Sequence, residues 1–307
     1  MSSITLYEVS PRDGLQNEST VLSTEAKAEL IGRLVGAGVT DIEVTSFVRP
    51  RWIPQLSDAA ELVRVLPKVE GVRYWALVPN QVGLERALEC GVRNVATFLS
   101  ASETHNKKNV NRTVRESLAS VEEVLGVARD EGVAVRGYIS TVFGCPYEGN
   151  VPVANTLRIV ERLLAAGAET IALGDTTGMA NPRQVQDVIA QVVALGLPVE
   201  RIAVHLHDTR GTALANAIAA YEVGIRQVDG SVGGMGGCPY APGASGNAAS
   251  EDLVHAFEAM GIETGVDLDR LSQAAEFAEA QLGHPLPGRY FQFWKGAHVR
   301  AVTARTA

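Results

Sequence analysis

The sequence is short of cysteine and of long hydrophobic runs. Its 307 residues include only three cysteines, Cys90, Cys145 and Cys238, too few for the disulfide framework of a small secreted protein. A helix that crosses a bilayer needs about 20 consecutive apolar residues, and no segment of this chain supplies them. The first residues, Met1 to Ile4, lack the basic region of a secretory signal. We therefore expect a cytoplasmic protein that does not associate with membranes.

Positive charge is also scarce. The 27 lysines and arginines are outnumbered by 35 aspartates and glutamates, which leaves a net charge of −8. Such a surface repels the phosphates of nucleic acid, so a nucleic-acid partner is not expected. An anionic substrate would instead need a local cluster of basic residues.

A glycine followed by a short apolar run recurs along the chain. Seven glycines each stand between a helical pattern and a strand-like run: Gly38, Gly71, Gly91, Gly132, Gly167, Gly196 and Gly224. A glycine that ends a helix and leads into a strand is typical of α/β proteins. With a first strand from Ile4 to Val9, these units predict the eight strands of a (β/α)8 TIM barrel. An open doubly wound sheet is the alternative, but the chain has no dinucleotide-binding glycine motif.

The whole chain, residues 1–307, is predicted to form one domain. The barrel takes about residues 1–245, and a C-terminal helical extension of about residues 246–307 contains helices at 251–260 and 267–281. In such barrels the functional side chains lie at the carboxyl ends of the strands. Polar residues stand at or just after these predicted ends: Arg12, Asp13, Glu43, Ser46, Thr141, Asp175, His205 and His207.

The two histidines at the end of the predicted seventh strand are the strongest indication of a site. His205 and His207 are two positions apart, so in a strand they point to the same face and can reach one metal ion. The alternative is that each hydrogen-bonds in the core. Histidine alone suits zinc, copper or nickel, whereas adding Asp13 and the amide of Asn247 favours Mg²⁺ or Mn²⁺. Asn247 is equally well placed to cap the helix that follows it.

Arg12-Asp13-Gly14 follows the first predicted strand. Considered alone, this segment is best explained as a surface turn with a salt bridge. Closure of a barrel would bring the first strand beside the seventh and eighth, and a guanidinium next to a metal can stabilise an enolate or an alkoxide.

A long loop from Gly233 to Asn247 contains six glycines and two prolines. Loops of this length in compact domains are usually functional and can act as lids, although a simple connector is the alternative. Cys238, near the middle, is either a general acid or base or an idle thiol.

Two basic segments follow the predicted second and fourth strands. They are Arg49-Pro50-Arg51-Trp52 and Lys107 to Arg112. Each alone is most simply a solvated loop. Together, on the same side of a barrel, they could bind the phosphates of an acidic substrate.

Taken together, these motifs resemble the hydroxymethylglutaryl-CoA lyase family. The resemblance covers nearly the whole chain and is carried, in order, by the segments Val9 to Glu18, Ile42 to Val48, Lys108 to Asn111, Gly144 to Gly149, His205 to Asp208, and Gly237 to Asn247. Arg12-Asp13-Gly14 marks a wider superfamily of metal-dependent enzymes that includes Claisen-type synthases. The glycine loop with its cysteine is specific to the lyases.

The resemblance implies a metal-dependent TIM-barrel lyase that cleaves 3-hydroxy-3-methylglutaryl-CoA, or a close 3-alkyl analogue, to acetyl-CoA and acetoacetate. The implied ligands of Mg²⁺ or Mn²⁺ are Asp13, His205, His207 and Asn247. The implied catalytic residues are Arg12, Glu43, Asp175, His205 and Cys238. Glu251 is implied to support these residues without being a metal ligand itself. The CoA-thioester substrate would contact Gln16, Arg49, Lys108, Asn109, Asn111 and Thr141.

The family resemblance also suggests a cellular role and an assembly. It implies a part in leucine catabolism and ketone-body formation, and a homodimer or higher homo-oligomer is expected. The alternative activity is that of a Claisen-type acyltransferase of the same superfamily, which would condense acetyl-CoA with a 2-oxo acid.

Overall fold

The computed structural model describes residues 3–237 and 246–306, without the side chains of residues 299–306. Eight parallel strands close into a barrel in chain order, and the last strand pairs with the first. The strands are β1 Thr5–Glu8, β2 Asp41–Ser46, β3 Arg73–Leu77, β4 Asn94–Ser100, β5 Ala134–Ser140, β6 Thr170–Asp175, β7 Ile202–Leu206 and β8 Gln227–Gly230. The closed order confirms the predicted (β/α)8 barrel and excludes the open sheet.

Helices surround the barrel and continue past it. They are α1 Thr24–Gly36, α2 Ala59–Val65, α3 Gln81–Glu89, α4 Glu103–Val110, α5 Val114–Asp130, α6 Val153–Ala166, α7 Pro182–Ala194, α8 Ala213–Glu222, α9 Ser250–Ala259, α10 Leu268–Leu282 and α11 Arg289–Thr306. Among the described residues, no helix combines the length and the apolar character that crossing a membrane requires.

Helix α6 illustrates why these segments form helices that pack on the sheet. Its buried residues are Thr156, Ile159, Val160 and Leu163, whose spacing gives one apolar stripe along a helix. The helix ends at Gly167, which has φ of 102°. A left-handed residue at this point is most easily glycine, because it has no Cβ to clash. All seven glycines singled out in the sequence have positive φ, which confirms their predicted position between helix and strand.

The inside of the barrel contains charged groups as well as aromatic rings. A small apolar cluster there is separate from the main core between strands and helices: Tyr7, Val9, Trp75, Leu77, Ala96, Tyr138, Ala172 and Ala203. The guanidinium of Arg136 lies 4.0 Å from the centre of the Tyr7 ring and 5.2 Å from that of Tyr138. Alternate residues of each strand face the interior, and this brings buried polar groups of β2, β5, β7 and β8 together.

The last three helices follow the barrel. Helix α9 packs against β1 and β8, α10 packs against α1, and α11 packs against α9. The helices predicted at 251–260 and 267–281 are confirmed as α9 and α10, to within one residue at each end. We propose that residues 1–307 form one domain, because these helices extend the core of the barrel rather than build another.

Two local predictions differ from the structure. The first strand is shorter than the predicted run from Ile4 to Val9, because the chain turns into a short π-helical segment at Ser10–Gly14. The basic segment that starts at Lys107 is not a solvated loop at its beginning. It forms the last turn of α4, which ends at Asn111 with φ of 55°.

Candidate active site

A pocket opens among the carboxyl ends of the strands. Its lining includes residues from the first, second, fourth, fifth, sixth and seventh βα connections and strand ends: Arg12, Asp13, Gln16, Asn17, Val48, Ile53, Phe98, His105, Asn109, Tyr138, Ser140, Thr176, His205 and His207. The structure therefore places the polar residues predicted at the ends of strands one and seven in this pocket. The pocket lies where barrel enzymes bind their substrates.

Asp13, His205 and His207 lie close enough to hold one metal ion. One ligand atom from each lies within 4.8 Å of the others. The Nε2 atoms of the two histidines are 3.1 Å apart, and His205 Nε2 is 4.0 Å from an Asp13 carboxylate oxygen. Two imidazole nitrogens that face each other at this distance suit a shared cation, because both can direct lone pairs at it.

Asn247, at the C-terminal end of the glycine loop, lies next to this group. It forms an isolated bridge with His207, and its Nδ2 donates to Asp13 Oδ2 at 2.9 Å and to the carbonyl of Met235 at 3.2 Å. Its buried Oδ1 has no hydrogen-bond partner among the described residues. The side chain that carries this orphaned amide oxygen contacts the Asp13 carboxylate through its nitrogen. An amide oxygen is a ligand type that suits a divalent cation such as Mg²⁺ or Mn²⁺. The N-cap of α9 is Ala249, so Asn247 does not cap that helix.

Arg12 is buried beside this group and is held at two points. Its Nε donates to Glu43 and its Nη1 donates to Asp13. Burial alone would lower the pKa of Arg12, but the charges of Asp13 and Glu43 raise it above its ordinary value. Burial alone would raise the pKa of Asp13, but Arg12 and the two histidines hold it well below its usual range. Arg12 therefore stays cationic, and Asp13 stays an anionic ligand.

The two histidines differ in their surroundings. His205 Nδ1 lies within hydrogen-bond distance of Asp229 Oδ2, at 3.1 Å, and although burial would lower the pKa of His205, this bond and the charge of Asp229 raise it. Burial and the neighbouring His205 lower the pKa of His207 to about 3. His207 is therefore a neutral imidazole at physiological pH, the form that coordinates metals.

Glu43 and Asp175 are buried and are not among the described residues that line the pocket. Glu43 Oε2 accepts hydrogen bonds from Tyr7 at 2.9 Å and Tyr138 at 3.2 Å, so Glu43 fixes Arg12 from inside the barrel. The two oxygens of Asp175 accept the backbone N–H groups of residues 179 and 180. Burial raises the pKa of Asp175 to about 6.

Two of the six predicted substrate contacts line the pocket. Gln16 lines the pocket, and its side chain donates a hydrogen bond to Asp13 at 3.3 Å. Asn109 lies on α4 and also lines the pocket. The other four, Arg49, Lys108, Asn111 and Thr141, are not among the described lining residues.

These four residues have other contacts. The Arg49 guanidinium lies 5.1 Å from the centre of the Trp52 ring, and the Lys108 amine lies 4.6 Å from that of Tyr147. Asn111 ends α4 in the left-handed conformation. Thr141, with φ of 58°, is buried, and its hydroxyl lies 2.6 Å from that of Ser100.

Three further predicted residues remain, of which two are described by the structure and lie outside the pocket lining. Cys238 falls outside the described residues. Glu251 is fully buried on α9, and its carboxyl group accepts the backbone N–H of Gly233 just after β8. Ser46 is buried at the end of β2 and donates to the carbonyl of Leu77.

Asp229 and Tyr138 were not predicted from the sequence, yet both contact the site. Asp229 contacts His205, and the Tyr138 hydroxyl donates to Asp229 Oδ2 at 2.9 Å and also lies near Glu43. The signal was present in the apolar run Val228-Asp229-Gly230, because an acidic residue inside a buried barrel strand must have a partner. No comparable signal marks Tyr138, since tyrosine is common in strands.

Comparison with known proteins agrees with this geometry. A model of the HMGL-like family matches residues 3–278. The chain is 50% identical over 294 residues to a hydroxymethylglutaryl-CoA lyase of Bacillus subtilis, covering 96% of this chain and 98% of the relative. A crystal structure of the Bacillus subtilis HMG-CoA lyase superposes with a TM-score of 0.94 at 49% identity, covering 96% and 99% of the two chains.

A second solved structure carries bound ligands. It is an HMG-CoA lyase from Acinetobacter baumannii in complex with coenzyme A and 3-methylmalate, with a TM-score of 0.89 at 42% identity. The alignment covers 94% of this chain and 93% of that one. From the family match, these identities and the shared barrel, the chain belongs to the HMGL-like family and, within it, to the hydroxymethylglutaryl-CoA lyases.

Proposed function

We propose that this protein cleaves 3-hydroxy-3-methylglutaryl-CoA, or a close 3-alkyl analogue, to acetyl-CoA and acetoacetate or its analogue. The observation that carries the proposal is the grouping of Asp13, His205, His207 and Asn247 beside the buried Arg12, in a chain of this family. That grouping supports a metal-assisted retro-Claisen cleavage.

The reaction breaks the bond between C2 and C3 of the substrate. The C3 hydroxyl loses its proton and becomes the ketone of acetoacetate. The electron pair of the broken bond moves onto C2 and its thioester carbonyl as an enolate, which takes up a proton to give acetyl-CoA. The protein must therefore assist a proton loss, stabilise an enolate and deliver a proton.

The proposed cofactor is Mg²⁺ or Mn²⁺, held by Asp13, His205, His207 and Asn247. When bound, the cation would polarise the substrate oxygens and ease loss of the hydroxyl proton. Asn247 has an amide oxygen with no hydrogen-bond partner among the described residues, and Asp13 remains an anion because of Arg12.

Arg12 is proposed to stabilise the enolate. It lines the pocket, and its bonds to Glu43 and Asp13 fix the guanidinium before substrate arrives. A preorganised cation in a buried site stabilises developing negative charge without the cost of reorientation. The proposed role of Glu43 is to hold Arg12 in this position.

Proton transfer is proposed to involve His205 and Cys238. His205 lines the pocket, and the Cys238 proposal depends on its position in the glycine loop of the family motif. Asp175 has a raised pKa, which suits proton transfer, but its oxygens are bonded to the turn after β6. Its proposed contribution is therefore to shape that turn next to His207, whose backbone N–H donates to the Asp175 carbonyl.

The substrate is proposed to enter as a CoA thioester past Gln16 and Asn109. Arg49, Lys108, Asn111 and Thr141 remain proposed contacts for the more distant parts of CoA or for the walls of the pocket. A homodimer or higher oligomer in the cytoplasm, acting in leucine catabolism and ketone-body formation, completes the proposal.

Steady-state assays on a panel of 3-hydroxy-3-alkylglutaryl-CoA thioesters test the function. We expect release of acetyl-CoA and the matching 3-oxo acid, with the highest kcat/KM for the methyl or a closely similar substituent. The Asp13→Asn variant is the matched inactive control. Release of free CoA from acetyl-CoA and a 2-oxo acid, with no cleavage of any thioester in the panel, would establish the acyltransferase instead.

A further inference from the structure

We propose that Asp229 is a positioning residue that selects the His205 tautomer whose Nε2 lone pair faces Asp13 and His207. This inference rests on the metal site proposed above and extends it to a residue outside the ligand set. Its evidence is the arrangement of hydrogen bonds beneath His205, inside the barrel.

A neutral imidazole carries one proton, on either Nδ1 or Nε2. His205 Nδ1 lies 3.1 Å from Asp229 Oδ2, an acceptor-only atom when the carboxyl group is ionised. The proton is therefore held at Nδ1, and Nε2 is left with its lone pair. That nitrogen is the one 3.1 Å from His207 Nε2 and 4.0 Å from Asp13 Oδ2. Metal-binding histidines commonly use a carboxylate in this way to set tautomer and ring orientation.

The two oxygens of Asp229 have different partners. Oδ1 pairs with the guanidinium of Arg136, and Oδ2 accepts from His205 and from the Tyr138 hydroxyl at 2.9 Å. Arg136 supplies the ion pair that the buried Asp229 carboxylate requires. Because that pair uses Oδ1, Oδ2 is available to orient the imidazole.

The surroundings keep this carboxylate in place. Asp229 and Arg136 are both buried, with exposed fractions of 2% and 1%. The Arg136 guanidinium lies close to the rings of both Tyr7 and Tyr138. The Tyr138 ring also meets the His205 ring edge-on, with centres 5.7 Å apart. His205 is thus restrained both at Nδ1 and by the neighbouring Tyr138 ring.

Mn²⁺ binding measured by electron paramagnetic resonance tests the assignment. The variant Asp229→Asn keeps the shape of the side chain but loses its charge. We expect its Mn²⁺ affinity to fall by about 10–100-fold, the usual effect of removing such a partner of a metal ligand. Asp41→Asn is the matched control, because Asp41 is also buried and paired with an arginine, Arg73, but lies at the opposite end of β2 from the pocket.

The Asp41→Asn protein should bind Mn²⁺ as tightly as the unmodified protein, even if its melting temperature falls. An Asp229→Asn protein with unchanged Mn²⁺ affinity would overturn the positioning role and leave the metal site standing. Failure of the unmodified protein to bind Mn²⁺ would overturn the metal site and this inference together.

A second measurement applies even if Asp229→Asn does not fold. Nitrogen-15 NMR of the Mg²⁺-loaded protein, with labelled histidine and with His205 identified from the His205→Gln variant, reports which ring nitrogen is protonated. We expect a protonated Nδ1 and an unprotonated Nε2. A proton on Nε2 would overturn the proposal.

Discussion

At the scale of single residues, Arg12 shows how the fold prepares a charge for catalysis. Long arginine side chains are usually exposed, yet Arg12 is 6% exposed and bridges two carboxylates. Its planar fork reaches Glu43 with one nitrogen and Asp13 with another, which the single ammonium of lysine cannot reproduce. The guanidinium is thus fixed in its orientation as well as in its positive charge.

We expect Arg12→Lys to lower kcat by about 10²-fold, or roughly 3 kcal/mol of transition-state stabilisation. The ammonium keeps the positive charge but cannot hold both carboxylates while it faces the substrate. Steady-state kinetics with 3-hydroxy-3-methylglutaryl-CoA and Mn²⁺ titration of the same protein measure the effect. Metal affinity should change little, because Arg12 is not a proposed ligand. A variant that lost its metal while retaining kcat when saturated would show that Arg12 serves the metal rather than the enolate.

At the scale of elements, two buried glutamates hold the turn from which the glycine loop departs. Glu8, at the end of β1, accepts the backbone N–H groups of Ser10 and Val232 and the hydroxyl of Ser250. Glu251 accepts the backbone N–H of Gly233 from α9. These bonds tie β1, the turn after β8 and α9 together. The chain then returns from the loop with Asn247 beside His207.

The pH dependence of stability tests the Glu251 contact. Burial raises the pKa of Glu251 well above its ordinary value of 4.5. The folded state therefore favours the protonated form, so the stability it contributes is full below about pH 4.5 and is lost as pH rises through the folded pKa. Glu251→Gln stays neutral at every pH. Urea unfolding from about pH 5 to about pH 8 should show the unmodified protein losing stability relative to the variant as pH rises.

Glu258 on the same helix provides a control of opposite sign. Hydrogen bonds from Thr264 lower the pKa of this exposed carboxylate. Its contribution is present above its ordinary pKa and is lost as pH falls. Relative to Glu258→Gln, the unmodified protein should therefore lose stability as pH falls below about 4.5 and show no trend from about pH 5 to about pH 8. A Glu251 comparison that followed the Glu258 trend would contradict the buried, protonated state.

At the scale of the whole molecule, the metal site depends on closure of the barrel. Asp13 follows β1, His205 and His207 belong to the end of β7, and Asn247 comes from the segment after β8. Pairing of β8 with both β7 and β1 brings these segments together. An ion bound there would cross-link the beginning and the end of the barrel.

Metal removal should accordingly affect activity and stability together. We expect chelation to abolish activity and Mg²⁺ or Mn²⁺ to restore it. A ligand at about 100 times its Kd stabilises the folded state by about 2.7 kcal/mol, so Mn²⁺ should raise the melting temperature by several degrees. Differential scanning calorimetry measures the shift, and Asp13→Asn should show none. Full turnover by a protein verified to be free of metal would contradict the mechanism.

Much of the fold could be predicted from the sequence. The seven glycines and their apolar runs indicated eight strands, because helix ends and strand periodicity are local properties. His205 and His207 indicated a metal site for the same reason, since their common face follows from the geometry of one strand. Arg12-Asp13 could be placed at a strand end, although its interpretation as part of a site depended on closure of the barrel.

The remaining features were decided by tertiary structure. Asn247 had two equally good local interpretations. Only the folded chain, in which Ala249 is the N-cap of α9 and Asn247 pairs with His207, excludes the helix cap and places the Asn247 side chain against Asp13. Asp229 on β8 contacts His205 on β7, and Glu8 at the end of β1 accepts the backbone N–H of Val232, which follows β8. Sequence patterns report the conformation of neighbouring residues, whereas these contacts exist because closing the barrel brings together strands that the chain keeps far apart.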